Sequence, residues 1–154
     1  MSAKKRVSND ELIKNEAQEL LELLGVEGSV EVACEGEIYT VQIETEQAAI
    51  LIGHRGETLG ALQLMLRQII FAKIQEGLQI VVNVGDWRAK REDTLTALAN
   101  SAANRAKSFG QEQHLYDLSP TDRRFVHMLL GEDHDVSTES EGEGRDRHLV
   151  VKPR

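Results

Sequence analysis

The stretch Ile50-Leu51-Ile52-Gly53-His54-Arg55-Gly56-Glu57-Thr58-Leu59 decides how the first half of the chain folds. It predicts a short apolar helix, a Gly-His-Arg-Gly turn and a longer helix that starts directly after the turn. Two glycines three residues apart let the backbone turn sharply and let another backbone approach closely. The free N–H groups and positive dipole end of the second helix, with the His54 and Arg55 side chains, favour an anion. The pattern therefore suits a sugar–phosphate backbone.

A second Gly-x-x-Gly pattern, Gly25-Val26-Glu27-Gly28, shows that the spacing alone is weak. This copy follows a predicted helix, precedes a predicted strand and carries an acid, so it is interpreted as a helix C-cap and connector. Only Gly53–Gly56 combines positive charge with a helix on each side.

Composition limits the class of protein. The chain has 154 residues with 40% apolar content, which allows one domain or two small ones. It has no run of eighteen apolar residues, no apolar segment behind its basic N-terminus, and Cys34 as its single cysteine. These features predict a soluble cytoplasmic protein without membrane insertion.

Charge is distributed unevenly along the chain. The net charge of −8 argues against tight, indiscriminate nucleic-acid binding. Residues 1–86 hold 7 Lys/Arg against 14 Asp/Glu (net −7), and residues 87–154 hold 11 against 12 (net −1). Any site for a polyanion must therefore be a local basic patch on an acidic body.

Hydrophobic periodicity predicts an α+β fold in two parts. We expect residues 1–9 to be disordered, followed by a helix that starts at a Ser8-Asn9-Asp10-Glu11 capping box. Residues 10–86 are predicted to run α-β-β-α-α-β, and residues 87–154 α-β-α-β-β. No Pro- or Ser-rich linker separates the parts, so a stiff junction near residue 86 is expected.

The predicted helix 120–130 carries a second cationic pattern. Stepping about 100° per residue places Phe125, Val126, Leu129 and Leu130 on one side. The other side holds Arg123, Arg124, His127 and Met128, with Arg123 and His127 adjacent at a spacing of four. These side chains could bind an anion, or they could form an ordinary solvated helix face; periodicity alone leaves both interpretations open.

Together these motifs resemble a known bacterial family. The order α-β-β-α-Gly-His-Arg-Gly-α-β resembles a type II KH domain, and Arg123-Arg124-Phe125-Val126-His127 resembles the Arg-x-x-x-His motif of the R-three-H domain. Together with the ending from Thr138 to His148, the arrangement is similar to the Jag family, which joins these two domains.

The resemblance implies a cytoplasmic bacterial protein that binds single-stranded RNA or DNA and acts in cell elongation and envelope regulation. It implies a KH domain over residues 10–86 and an R-three-H domain over 87–154. It also implies pairing with a small KH-only protein or a second copy. The RNA contacts would be Gly53, His54, Arg55 and Gly56 in the first domain, and Arg123, Arg124 and His127 in the second.

Two other classes of protein make different demands on the sequence. An enzyme is disfavoured because the histidines and the Glu132–Asp135 run match no zinc or EF-hand spacing, and no nucleophile–base pair or P-loop stands out. We therefore predict no catalytic residues, no metal and no cofactor. A protein-interaction adaptor, in which the KH fold mainly mediates pairing, stays open because the first half is acidic.

Overall fold

The computed structural model describes the backbone of residues 3–154 and the side chains of residues 9–154. The chain divides into two compact units, the first ending at Arg88 and the second covering Ala89–Arg154. The division falls close to residue 86, where the sequence predicts the domain boundary.

The first unit is built from three helices, a three-stranded sheet and one 3₁₀ turn. Its elements are α1 (Ala3–Leu23), β1 (Ser29–Glu35), β2 (Ile38–Glu44), α2 (Ala48–Ile52), the 3₁₀ turn His54–Gly56, α3 (Glu57–Ile74) and β3 (Gln79–Val84).

The sheet of the first unit has the order β1-β2-β3. Strands β1 and β2 form an antiparallel hairpin with Val32 opposite Val41, whereas β3 pairs in parallel with β2, with Val82 opposite Val41. Alternate residues of β2 and β3 are buried, so one face of the sheet packs on the helices. The fully buried side chains of this core include Ile13, Leu21, Tyr39, Val41, Ile43, Leu51, Leu66, Ile70, Ile80 and Val82.

The second unit has two helices and an antiparallel sheet of order β4-β6-β5. Its elements are α4 (Trp87–Phe109), β4 (Gln113–Leu115), α5 (Pro120–Leu130), β5 (Val136–Glu141), a 3₁₀ turn (Gly144–Asp146) and β6 (His148–Pro153), with the first two residues of α4 belonging to the first unit. Small alanines of α4 pack with Leu115, Val126 and the β6 residues Leu149 and Val151. The predicted α+β class, with a KH-like order followed by an order like that of the R-three-H domain, is confirmed.

The predicted disorder of residues 1–9 is wrong where the structure describes them. Helix α1 begins at Ala3, so Ser8 lies inside the helix rather than at its N-cap. Ala, Lys and Arg are strong helix formers and this segment contains no Gly or Pro, so nothing in it stops the helix from extending toward the N-terminus. Residues 1 and 2 lie outside the described residues.

Three local predictions also differ from the structure. Gln75, rather than Gly77, takes the left-handed conformation that caps α3. The strand expected over 111–118 is confined to Gln113–Leu115. Leu129, predicted to be buried, is 38% exposed.

Helix α5 begins at a complete capping box. Ser119 Oγ accepts from the Asp122 N–H at 3.1 Å, and Asp122 Oδ2 accepts from the Ser119 N–H at 3.2 Å. The same Oδ2 atom accepts from Arg91 Nη2 at 2.9 Å, and Asp122 is buried. One carboxylate therefore fixes the start of α5 and ties it to α4.

We predict that Asp122→Ala destabilises the chain more than Ser119→Ala. Loss of the Ser119 hydroxyl removes one capping bond and costs about 1 kcal/mol. Loss of the Asp122 carboxylate also leaves the Arg91 guanidinium without this partner in a buried setting, at about 3 kcal/mol. Urea unfolding of both variants, with exposed Thr121→Ala as control, measures the difference; equal losses would contradict it.

In the described part of the chain, no helix has the length and apolar character needed to cross a lipid bilayer. The cytoplasmic location stays a prediction.

Candidate nucleic-acid interface

The Gly53–Gly56 turn has an unusual backbone. Gly53, Arg55 and Gly56 all have positive φ, at 68°, 54° and 83°. Gly53 has ψ −164°, a combination that is essentially restricted to glycine. Arg55 is held in the left-handed region despite its side chain, which identifies the turn as a strained segment.

Neighbouring side chains leave little room at both glycines. A Cβ on Gly53 would lie 2.0 Å from Thr58 Oγ1, and a Cβ on Gly56 would lie 3.2 Å from the Trp87 indole nitrogen. Trp87 is half-buried and packs on the core of the first unit. This agrees with its interpretation as a packing residue, and the glycines are required by close approach as well as by conformation.

The turn presents donors at the start of α3. Its N-cap is Gly56, which has no side chain to occupy the first-turn N–H groups. His54 is exposed and Arg55 is half-buried. Glu57 lies in the first turn of α3 and lowers the local positive charge. The turn can therefore bind a phosphate group through backbone and side-chain donors, although an acid lies beside it.

We predict that Gly53→Ala destabilises the first unit, whereas Gly60→Ala does not. The Gly53 variant meets both a forbidden conformation and the Thr58 contact, so a loss of about 2 kcal/mol or more is expected. A Cβ on Gly60, inside α3, meets no atom within 4 Å. That change should stabilise the helix by about 0.5–1 kcal/mol. Urea unfolding of the two variants tests this, and a neutral Gly53→Ala would contradict it.

The second candidate site lies on α5. Arg124 and His127 are exposed, and Arg123 is half-buried because its guanidinium is anchored. Arg123 Nη1 donates to the Leu118 carbonyl at 2.9 Å and to the Arg147 carbonyl at 3.1 Å. Arg123 therefore holds two backbone segments together while its charge stays at the surface, a double role that periodicity could not reveal.

His127 is oriented by a neighbouring strand. Its Nδ1 atom lies 2.6 Å from the hydroxyl of Thr138 on β5. This contact occupies Nδ1 and leaves Nε2 for another partner. His127 is therefore positioned by the fold rather than free to rotate on a helix face.

These α5 side chains share one concavity with β5 and the end of the hairpin. It has a volume of about 340 Å³ and is lined by Pro120, Arg123, Arg124, His127, Thr138, Ser140 and Arg147. That volume lies at the low end of the range for ligand pockets. The lining includes three arginines and two hydroxyls but no acid, so an anionic group fits it best.

Sequence reasoning did not assign Arg147, Thr138 and Ser140 to this site. Alternation along β5 could have found the two hydroxyls, since Thr138 lies opposite Val151 and Ser140 opposite Leu149. Cross-strand partners share a face of a sheet, and Leu149 and Val151 belong to the core packed against the helices. Arg147 could not be assigned without knowing that the hairpin returns to α5.

The predicted residues thus form two groups. Gly53, His54, Arg55 and Gly56 form the turn of the first unit, and Arg123, Arg124 and His127 line the concavity of the second. Among the described residues, no group of three or more His, Cys, Asp and Glu side chains is arranged to hold a metal ion.

The second unit matches a known domain. Residues 93–153 match the family model of the R-three-H domain, a span that contains α5 and the concavity. The class of protein defined by fold and site is therefore one that carries an R-three-H domain.

Comparison with curated proteins extends the relationship to the whole chain. It is 28% identical over 152 residues to the RNA-binding protein KhpB of Clostridium symbiosum, covering 95% of this chain and 68% of that protein. It is 32% identical over 111 residues to RNA-binding protein KhpB of Bacillus subtilis (strain 168), covering 71% and 53%. It is 30% identical over 131 residues to RNA-binding protein KhpB of Lactiplantibacillus plantarum, covering 85% and 41%.

These matches confirm the family resemblance: the chain is a homologue of the KhpB (Jag) proteins. It spans about half or less of the length of two of the three relatives compared.

Proposed function

We propose that this chain binds single-stranded RNA and holds the phosphate backbone at two places. The observation that carries the proposal is the acid-free concavity lined by Arg123, Arg124, Arg147 and His127. Arginine forks bind phosphate oxygens through paired hydrogen bonds, and hydroxyls add neutral donors. The relatives' names, which describe RNA-binding proteins, support RNA as the polyanion.

The first unit would act as a KH-type module. Its Gly53–Gly56 turn offers donors to one stretch of backbone, while unpaired bases lie beside it. With Glu57 adjacent and a net charge of −7 over residues 1–86, this contact should be weak alone. Two weak modules in one chain gain affinity when one strand reaches both.

The proposed role is binding rather than catalysis, in a bacterial post-transcriptional regulator of cell elongation and envelope that works in the cytoplasm. Single-stranded DNA is the competing ligand. The 2′-hydroxyl of RNA is the group by which the chain could distinguish the two.

We predict that charge reversal at either site weakens RNA binding and its salt dependence. Arg55→Glu tests the turn, and Arg124→Glu tests the concavity without removing the structural bonds of Arg123. Each should lower the slope of log affinity against log salt by about 0.7 per lost phosphate contact. Fluorescence anisotropy of a short labelled single-stranded RNA across a salt series provides the measurement.

The matched control is Arg105→Glu, which makes the same charge change at an exposed position of α4 that does not line the concavity. It should leave the slope nearly unchanged. Wild-type slopes in both site variants, or an equal loss in the control, would contradict localised phosphate contacts.

A second candidate function, protein pairing, is favoured by the outer face of α3. Leu64, Met65 and Phe71 are 58%, 52% and 47% exposed. With Gly60, Ala61 and Ala72 they lie within one arc of about 140° at helical spacing. Adjacent exposed apolar side chains on a helix are typical of a surface that meets another protein. The partner would be a second copy or a small KH-only protein.

We predict that Leu64→Lys with Phe71→Lys disrupts self-association. Placing two charges in an apolar contact leaves them desolvated, so a dimer should dissociate at least about tenfold more readily. Sedimentation velocity over a concentration series measures this, with exposed Ala97→Lys on α4 as control. A wild type that stays monomeric would exclude the second-copy form of pairing.

A further inference from the structure

A pair of histidines lies on the outer face of the second sheet. His114 is on β4 and His148 begins β6, while their neighbours Leu115 and Leu149 point into the core. Because side chains alternate along a strand, both histidines project away from the core. His114 Nδ1 lies 2.9 Å from His148 Nε2, and the Tyr116 ring stacks on His148 with centroids 4.3 Å apart.

The contacts of His148 determine where its proton lies. Its Nδ1 atom is 2.8 Å from the Asp146 carbonyl oxygen, which can only accept. Nδ1 of His148 therefore carries the proton, and Nε2 of the neutral ring must accept from Nδ1–H of His114. On its other side, His114 Nε2 lies 3.4 Å from a Glu112 carboxylate oxygen.

This chain of bonds accepts one extra proton but not two. A proton on His114 Nε2 faces Glu112 and leaves the bond between the rings intact. A proton on His148 Nε2 would point at the N–H of His114, so the bond is lost and two like charges face each other.

Surrounding charges belong to every element packed on the pair. The hydrogen bond from Lys152 holds the pKa of Glu141 below its usual range, so this neighbour stays ionised in mild acid. The groups that face the two rings are Glu112 and Tyr116 beside β4, Glu139 and Glu141 on β5, Lys152 on β6, and the Asp146 backbone in the turn.

The pair is connected to the concavity through three consecutive residues. Asp146 accepts from His148, and the intervening Arg147 lines the concavity while its carbonyl accepts from Arg123. A change in the position of His148 therefore acts on an arginine of the concavity and on the anchor of a second one.

We propose that His114 and His148 form a two-step proton switch: the second proton breaks their bond and loosens Arg147, which weakens anion binding in the concavity. The coupling to binding rests on the proposed function, whereas the proton arrangement does not. The switch opposes the gain in phosphate affinity expected when His127 becomes charged.

The test is NMR of the full chain, with ring ¹⁵N shifts of the histidines and backbone amide shifts followed from about pH 8 to about pH 5. Neutral His148 should carry its proton on Nδ1, and His114 should charge first. The amides of Arg147 and Arg123 should shift with the second step. Neutral His148 protonated on Nε2, or immobile Arg147 and Arg123 signals, would overturn the switch.

His114→Asn and the control His134→Asn isolate the pair. His134 is exposed on the connector before β5 and can titrate without facing either ring. In His114→Asn the second-step shift at Arg147 should disappear, and in His134→Asn it should persist. A shift that persists in both variants would overturn the proposal.

RNA anisotropy in the same buffers then tests the coupling. At the acid end, wild type should bind about fivefold more weakly than His114→Asn, the effect of one lost hydrogen bond. Equal affinities would refute the coupling. Absence of RNA binding at every pH would instead refute the proposed function, while the NMR titration still decides the switch.

Discussion

Steric space around two glycines is the constraint on which the first unit's candidate site depends. Thr58 lies where a side chain on Gly53 would be, and the Trp87 indole borders Gly56. These contacts keep the turn at positive φ and bring Arg55 with it. The apolar helix before the turn and the parallel strand pairing that leads to Trp87 both serve to hold this short segment in place.

The second unit reaches a comparable result by hydrogen bonding. Asp122 closes the capping box of α5 and accepts from Arg91 on α4. Arg123, next in sequence, reaches two carbonyls, one of them on Arg147. The Arg-x-x-x-His motif is thus held at its start by a buried acid and at its surface by backbone acceptors, which keeps its charges in one concavity.

Much of this could be predicted from the sequence because the signals are local. Strand alternation, the glycine turn and the Ser-Pro-x-Asp helix start each depend on a few adjacent residues, and they gave the element order and the residues of both groups. The N-terminal helix was missed because a charged, polar segment was taken for disorder, although helix propensity alone favours its extension. Thr138, Ser140 and Arg147 were missed because their position depends on strand pairing between residues far from α5.

The opposite faces of the second sheet carry different chemistry. The inner face meets α5 and contributes hydroxyls to the concavity, whereas the outer face carries the histidine pair and the Lys152 ion pairs with Glu139 and Glu141. Both meet at Arg147, which explains why a short turn can connect a binding surface to a proton-sensitive one.

The central claim is that one RNA strand contacts both the glycine turn and the α5 concavity. Amide chemical-shift mapping of the ¹⁵N-labelled full chain during titration with a short single-stranded RNA tests it most directly. The proposed arrangement predicts shifts concentrated at Gly53–Gly56 and the start of α3, and at Arg123–His127 and Thr138–Ser140. Shifts confined to the outer face of α3, or no shifts at all, would contradict it.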